Sequence, residues 1–237
     1  MKKKSRVNKL LAYVYMPVIF SIIAYLLLYI ALKPYWDTVI SVASIFTFNS
    51  EILTNSGDRP PIYDPNAEPV EIKEAEEPYI DVHDTQFPDS GSQYGQLTCE
   101  KAGLDAPVYW DDTYEILRKG AGQYTGTMLP GYGRMILLSA HNTSHFRPLR
   151  DLEVGDIITF DTNYCTYEYE VTEIQVYNEM DLERWVLDHI LDEEEVLVMY
   201  TCWPFEFQAG RKTDRLTVKA KRISGYDVKW RLYEDEQ

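Results

Sequence analysis

Three residue types in this chain, in one order along it, could together do acyl-transfer chemistry. Cys202 offers a thiol, His141 stands 61 positions upstream, and Arg215 follows 13 positions downstream. A thiol becomes a nucleophile when a neighbouring base or cation relieves it of its proton, and the oxyanion formed by its attack needs a hydrogen-bond donor. Histidine supplies the base, and arginine keeps its charge and presents forked donors even when partly desolvated. The bland alternative is that Cys202 is a small buried hydrophobe, the commoner fate of a cysteine in an apolar strand. The rivals for the other roles are His145, four residues beyond His141, and Arg211, in the loop before Arg215. His83 falls in a proline-rich stretch, and His189 lies near the apolar face of a predicted helix, which suits a structural role.

The elements that must deliver these residues are legible as apolar runs. Glu195-Val196-Leu197-Val198-Met199-Tyr200-Thr201 is rich in β-formers and too short for a stable helix, so it predicts a buried strand that ends near Cys202 and is stopped by Pro204. Met135-Ile136-Leu137-Leu138-Ser139 predicts a second strand that hands over to His141, and Arg215 heads a third, Leu216-Thr217-Val218-Lys219-Ala220. Further strand-like runs occupy 94–99, 106–110, 156–161 and 166–176, with turn chemistry at Leu129-Pro130-Gly131-Tyr132-Gly133 and Glu153-Val154-Gly155-Asp156. Short strands at this spacing predict a mostly β fold, a closed or nearly closed barrel of about eight strands. Two helices interrupt it, over 112–119 with Asp111 or Asp112 as N-cap, and over 180–191.

Charge and composition divide the rest. Residues 1–9 carry Lys2, Lys3, Lys4, Arg6 and Lys9 and no acid, leaving 18 basic against 38 acidic residues in the remainder. So acidic a body lacks the basic footprint of a nucleic-acid binder. Residues 10–32 hold no charge, which is long enough to span a bilayer, where about 20 apolar residues suffice. The basic flank predicts a cytoplasmic N-terminus and an extracellular body, with an uncleaved anchor favoured over a signal peptide because Leu32-Lys33-Pro34-Tyr35 offers no small-residue cleavage site. Residues 33–92 form a juxtamembrane segment and an acidic spacer. Six of the twelve prolines fall between 51 and 92, a composition that favours an extended linker over a lid on the site. The folded domain is expected over 93–237. Of the three cysteines, Cys99 and Cys165 could pair, and no CxxC spacing suggests zinc or redox work.

The order His141, Cys202, Arg215 also carries a likeness to a known family. With Gly103-Leu104-Asp105-Ala106-Pro107-Val108-Tyr109-Trp110, Gly120-Ala121-Gly122-Gln123-Tyr124, Phe146-Arg147-Pro148-Leu149 and Thr201-Cys202 before Pro204-Phe205, the stretch from about 94 to 223 resembles the sortases, cysteine transpeptidases of Gram-positive cell surfaces. The resemblance implies that Cys202 attacks the Thr–Gly bond of an LPXTG-like sorting signal. His141 then serves as acid and base, Arg215 stabilises the oxyanion or positions the substrate backbone, and an amine of the cell wall, such as a peptidoglycan precursor, resolves the thioacyl intermediate. Ala140, Asn142, Thr201 and Trp203 are the expected substrate contacts. Trp203-Pro204-Phe205 looks like class D, whereas the helix over 180–191 and His141-Asn142 look like class B. A class C pilin polymerase fits less well, because no second apolar span follows Arg215. No organic cofactor is implied. Some sortases bind calcium, but Asp192-Glu193-Glu194-Glu195 reads better as a solvated turn, so no metal is expected. A peptidase that hydrolyses instead of transferring, and a membrane-tethered peptide-binding barrel without catalysis, remain as alternatives.

Overall fold

The computed structural model describes residues 15–29, 63–67, 70–73, 78–206 and 210–229, and the chain divides into two compact units, Met1–Ala43 and Ser44–Gln237. In the first unit a helix, α1, covers 15–29 and carries exposed Phe20, Ile22, Tyr25 and Leu27. At 1.5 Å per residue it is about 22 Å long, against about 30 Å of bilayer hydrocarbon. Among the described residues no helix is long and apolar enough to cross a membrane. The ends of the apolar span expected over 10–32 lie outside the described residues, as do the basic tail at 1–9 and the juxtamembrane stretch 33–62.

The second unit is a closed barrel of eight strands. They are β3 (Gln93–Cys99), β4 (Leu104–Trp110), β5 (Ala121–Gln123), β6 (Ile136–Ser139), β7 (Ile157–Thr162), β8 (Thr166–Asn178), β9 (Val196–Trp203) and β10 (Asp214–Ser224). They close in the order β10-β8-β7-β3-β4-β5-β6-β9, with β4–β5 and β6–β9 parallel and the other described pairs antiparallel. Closure leaves no free edge for stray pairing. Alternation along the strands divides the molecule's two cores. Ile136, Leu138 and Ala140, Leu197 and Met199, and Leu216, Val218 and Ala220 fill the interior with Leu97, Ile158 and Phe160. The intervening Met135, Leu137 and Val198 point outward and are covered by Leu182 and Val186 of α3 (Glu179–His189).

Helix α3 begins where Asn178 caps it, its side chain accepting from Met180 N at 3.2 Å, with Glu179 and Asp181 in the first turn where the helix dipole favours acids. It starts one residue earlier and ends two residues earlier than its sequence pattern suggested. The other expected helix shrinks to α2 (Tyr114–Leu117), capped at Thr113 and not at Asp111 or Asp112. Strand β5 escapes sequence reading because it is three residues long with glycine at its centre. Gly122 is required there, since a Cβ would lie 2.6 Å from the Asp111 carbonyl oxygen.

The proline-rich stretch differs from the expected linker in its second half. A small sheet joins β1 (Ile72–Lys73), β2 (Tyr79–Asp81) and β11 (Asp227–Lys229), with Ile80 fully buried. Phe87 meets Trp110 edge-on at 4.8 Å, and Ser92 and Trp110 share a backbone bond of 3.0 Å. The apolar pair Tyr79-Ile80 can bury what its acidic neighbours cannot, so the folded unit begins upstream of residue 93.

Candidate active site

The register of three neighbouring strands sets the site. Arg215 on β10 is the direct antiparallel partner of Cys202 on β9. On the other side β6 runs parallel to β9 with Ser139 opposite Tyr200, and the next pair is tied by the Thr201 hydroxyl donating to Ala140 O at 2.7 Å. His141 lies two residues past Ser139, beyond the end of β6, where continuation of this register would set it level with Cys202. His141, Cys202 and Arg215 thus form a row across adjacent strands, which are spaced by about 4.8 Å. Because Leu197, Met199 and Thr201 point inward, Cys202 points outward, on the face shared with Tyr200 and α3. Its thiol is free and half-buried; Cys99 and Cys165 are free as well, so the pairing considered for them does not form.

Each member of the row is held by named contacts. Asn142 donates its side-chain amide to Cys202 O at 2.7 Å and Pro204 O at 3.2 Å, bracing the end of β9. His141 sits against Tyr114 of α2, ring centres 5.8 Å apart, and its Nε2 is buried with no hydrogen-bond partner among the described residues. Burial, assisted by the positive charge of Arg118, lowers the His141 pKa below its ordinary value. The imidazole is therefore neutral at pH 7 and able to accept a thiol proton. Arg215 donates from one guanidinium nitrogen to Lys212 O and Asp214 O, at 2.8 and 2.9 Å, and from the other to Glu179 Oε2 at 2.8 Å.

Beside this row opens a cavity of about 370 Å³, walled by Leu182, Val186 and Leu187 of α3, floored by Leu137 and Tyr200, and bordered by Asp112, Glu179, Glu183 and Arg215. Asp112, Arg215 and Cys202 all lie within electrostatic reach of the Tyr200 phenol, which burial raises above its usual pKa. Arg215 and Tyr200 line this cavity, whereas Cys202 and His141 do not.

The other sequence candidates take different positions. Ala140 and Thr201 are buried and face the barrel interior, and Trp203 packs on the core and meets Phe205 edge-on at 5.6 Å. None of Ala140, Asn142, Thr201 and Trp203 lines this cavity. His145 stands outside the row, its pKa lowered by burial and then by His141. His189 stacks on Trp185 at 4.6 Å with Nδ1 2.7 Å from Trp185 O, a structural role. Arg211 is exposed and reaches Glu179 at 2.9 Å. The acidic run divides: Glu193 and Glu194 face solvent near Arg134 and Lys221, whereas Glu195 is buried and accepts from Gly131 N, Gly133 N and Tyr169. Among the described residues no three potential ligands converge on a metal site.

The sortase-domain family model matches residues 97–223, more than half of the chain and the whole span that carries the row. The chain belongs to the sortase family. Sortase D of Bacillus subtilis (strain 168) is 28% identical over 137 residues, covering 58% of this chain and 67% of that protein. A Clostridium perfringens sortase D5 transpeptidase superposes with a TM-score of 0.51 at 28% identity, covering 58% of this chain and 83% of that one. Sortase C from C. perfringens SM101 gives 0.49 at 27%, covering 58% and 73%. For this sortase the sequence reading missed Glu179, Tyr114, Arg118 and the groove wall. Glu179 lies 36 residues before Arg215 in the sequence, and only the fold brings the two together.

Proposed function

We propose that this sortase is a membrane-anchored transpeptidase that cleaves an LPXTG-like sorting signal between threonine and glycine and passes the acyl group to an amine of the cell wall. The observation that carries this reading is the pairing of Cys202 on β9 with Arg215 on β10, with His141 just past the end of β6 and a groove with apolar walls and a charged border reaching Arg215. The charge-free stretch over 10–32, with its basic flank, is the anchor, and the catalytic unit lies outside the cell. The two relatives named sortase D favour a class D assignment.

In the proposed cycle the apolar part of the signal lies in the groove and brings the threonine carbonyl to Cys202. The thiol proton passes to His141 as the Sγ–C bond forms, and Arg215 donates to the oxyanion. Collapse of this adduct breaks the C–N bond. His141, now imidazolium, gives its proton to the departing glycine amine, leaving a thioester. An incoming amine, deprotonated by neutral His141, attacks the thioester carbonyl and expels the Cys202 thiolate, which regains the proton. Water in place of the amine gives hydrolysis instead.

The test is to incubate the full chain in detergent with a panel of LPXTG-like peptides and an amine acceptor, following the joined product by mass spectrometry with Cys202→Ala alongside. Amine-dependent product that vanishes in the variant supports transfer. Hydrolysis alone points to a peptidase, and no reaction with any peptide points to a binding module.

A further inference from the structure

Arginine has five N–H donors in a rigid fork and no acceptor. In Arg215 three are committed: one terminal nitrogen spends both hydrogens on Lys212 O and Asp214 O, and the other donates one to Glu179 Oε2. Among the described residues that leaves two donors without a partner, the Nε–H and one terminal N–H. A planar group fixed at three points has no freedom left to turn, so the remaining pair is fixed in direction as well as in place. The Arg215 side chain is only 16% exposed and that of Glu179 26%, so this pair is shielded from the screening that makes surface ion pairs worth little.

Glu179 is itself held on both sides. Its backbone N–H donates to Thr213 O at 2.7 Å, joining the first turn of α3 to the strand that carries Arg215. Arg211 Nη2 also reaches its carboxylate, donating to Oε2 at 3.0 Å and lying 2.9 Å from Oε1. The preceding residue, Asn178, caps the helix and reaches Asp214. One residue therefore connects the wall of the groove to the guanidinium opposite Cys202.

We propose that Glu179 is a positioning residue for acyl transfer, fixing the Arg215 guanidinium so that its two uncommitted donors are held ready, level with Cys202, for the oxyanion. This rests on the transpeptidase reading of the site. Glu179 touches no reacting atom; it acts through Arg215.

The test is a double-mutant cycle on the full chain in detergent, measuring kcat and KM for Cys202-dependent peptide cleavage. A donor left free to swing is misplaced by an ångström or so, and Glu179→Gln is expected to lower kcat by about ten- to a hundredfold while moving KM little. In an Arg215→Ala background the same substitution is expected to cost less than about twofold, because the group it positions has gone. Glu179→Asp, which keeps the charge, should recover part of the loss. Thermal unfolding of each variant separates a folding defect from a positioning one. Wild-type kcat in Glu179→Gln, or an equal loss with and without Arg215, overturns the proposal while the transpeptidase reading stands. Absence of any Cys202-dependent cleavage in the wild-type chain overturns both.

Discussion

His141 is kept neutral by its surroundings, and that fixes how the enzyme should respond to acid. Burial is the larger cause and the Arg118 charge the smaller, and both act against the imidazolium. The rate profile of a thiol–imidazole pair falls on the acid side when the imidazole takes up a proton in the free enzyme. The acid limb of kcat/KM is therefore expected at a pH below the ordinary 6.5 of histidine. Steady-state rates between pH 4 and 8 check it, and a limb at or above 6.5 contradicts the assignment. At the same scale Asn142 is tied to the strand that carries the thiol. Its amide spans Cys202 O and Pro204 O, holding the end of β9 so that the thiol emerges at a defined point.

At the scale of elements, α3 is the part that turns a barrel into an enzyme with a groove. It is attached by a small outer cluster, in which Leu182 and Val186 cover Leu137 and Val198, separate from the larger interior core. Leu182→Ala should reduce stability by about 2 kcal/mol and raise KM by loosening the groove wall. Leu97→Ala, inside the barrel, should cost about 3 kcal/mol with KM unchanged in the molecules that remain folded. Denaturant titration with parallel kinetics separates the two, and equal effects on KM would remove the distinction. The strands that carry the site were legible because Ile136-Leu137-Leu138 and Val196-Leu197-Val198-Met199 are apolar on both faces, one face meeting the interior and the other α3. The short Ala121-Gly122-Gln123 strand has no such signature, and its central glycine, demanded by close backbone approach, argues locally against a strand. Residues 78–92 were masked by proline and acid, although Ile80 becomes one of the most completely buried side chains. Glu195 was read with its exposed acidic neighbours, and the three-dimensional meeting of Gly131, Gly133, Tyr169 and Arg222 accounts for its burial.

At the scale of the whole molecule the two lowered histidines make folding sensitive to mild acid. The folded chain holds the His141 and His145 imidazoles neutral below 6.5, where the unfolded chain takes up protons on them. Stability is thus complete above 6.5, declines as pH falls from there toward the lowered folded values, and levels off beneath them. Urea unfolding at pH 5 and pH 7.5 should show a smaller difference in His145→Gln than in the wild type; an equal or larger difference would contradict this. His145 is suited to the comparison because it stands outside the proposed catalytic row.

The central claim is that Cys202, and neither of the other two free thiols, forms the acyl bond. The most direct measurement is intact-mass and peptide-mapping analysis of the full chain quenched during reaction with an LPXTG-like peptide and no added amine. The expected product is a thioester of the peptide's N-terminal fragment, ending in threonine, mapped to Cys202 and lost on adding an amine. A covalent adduct mapped to Cys99 or Cys165, or turnover that persists in Cys202→Ala, would contradict it.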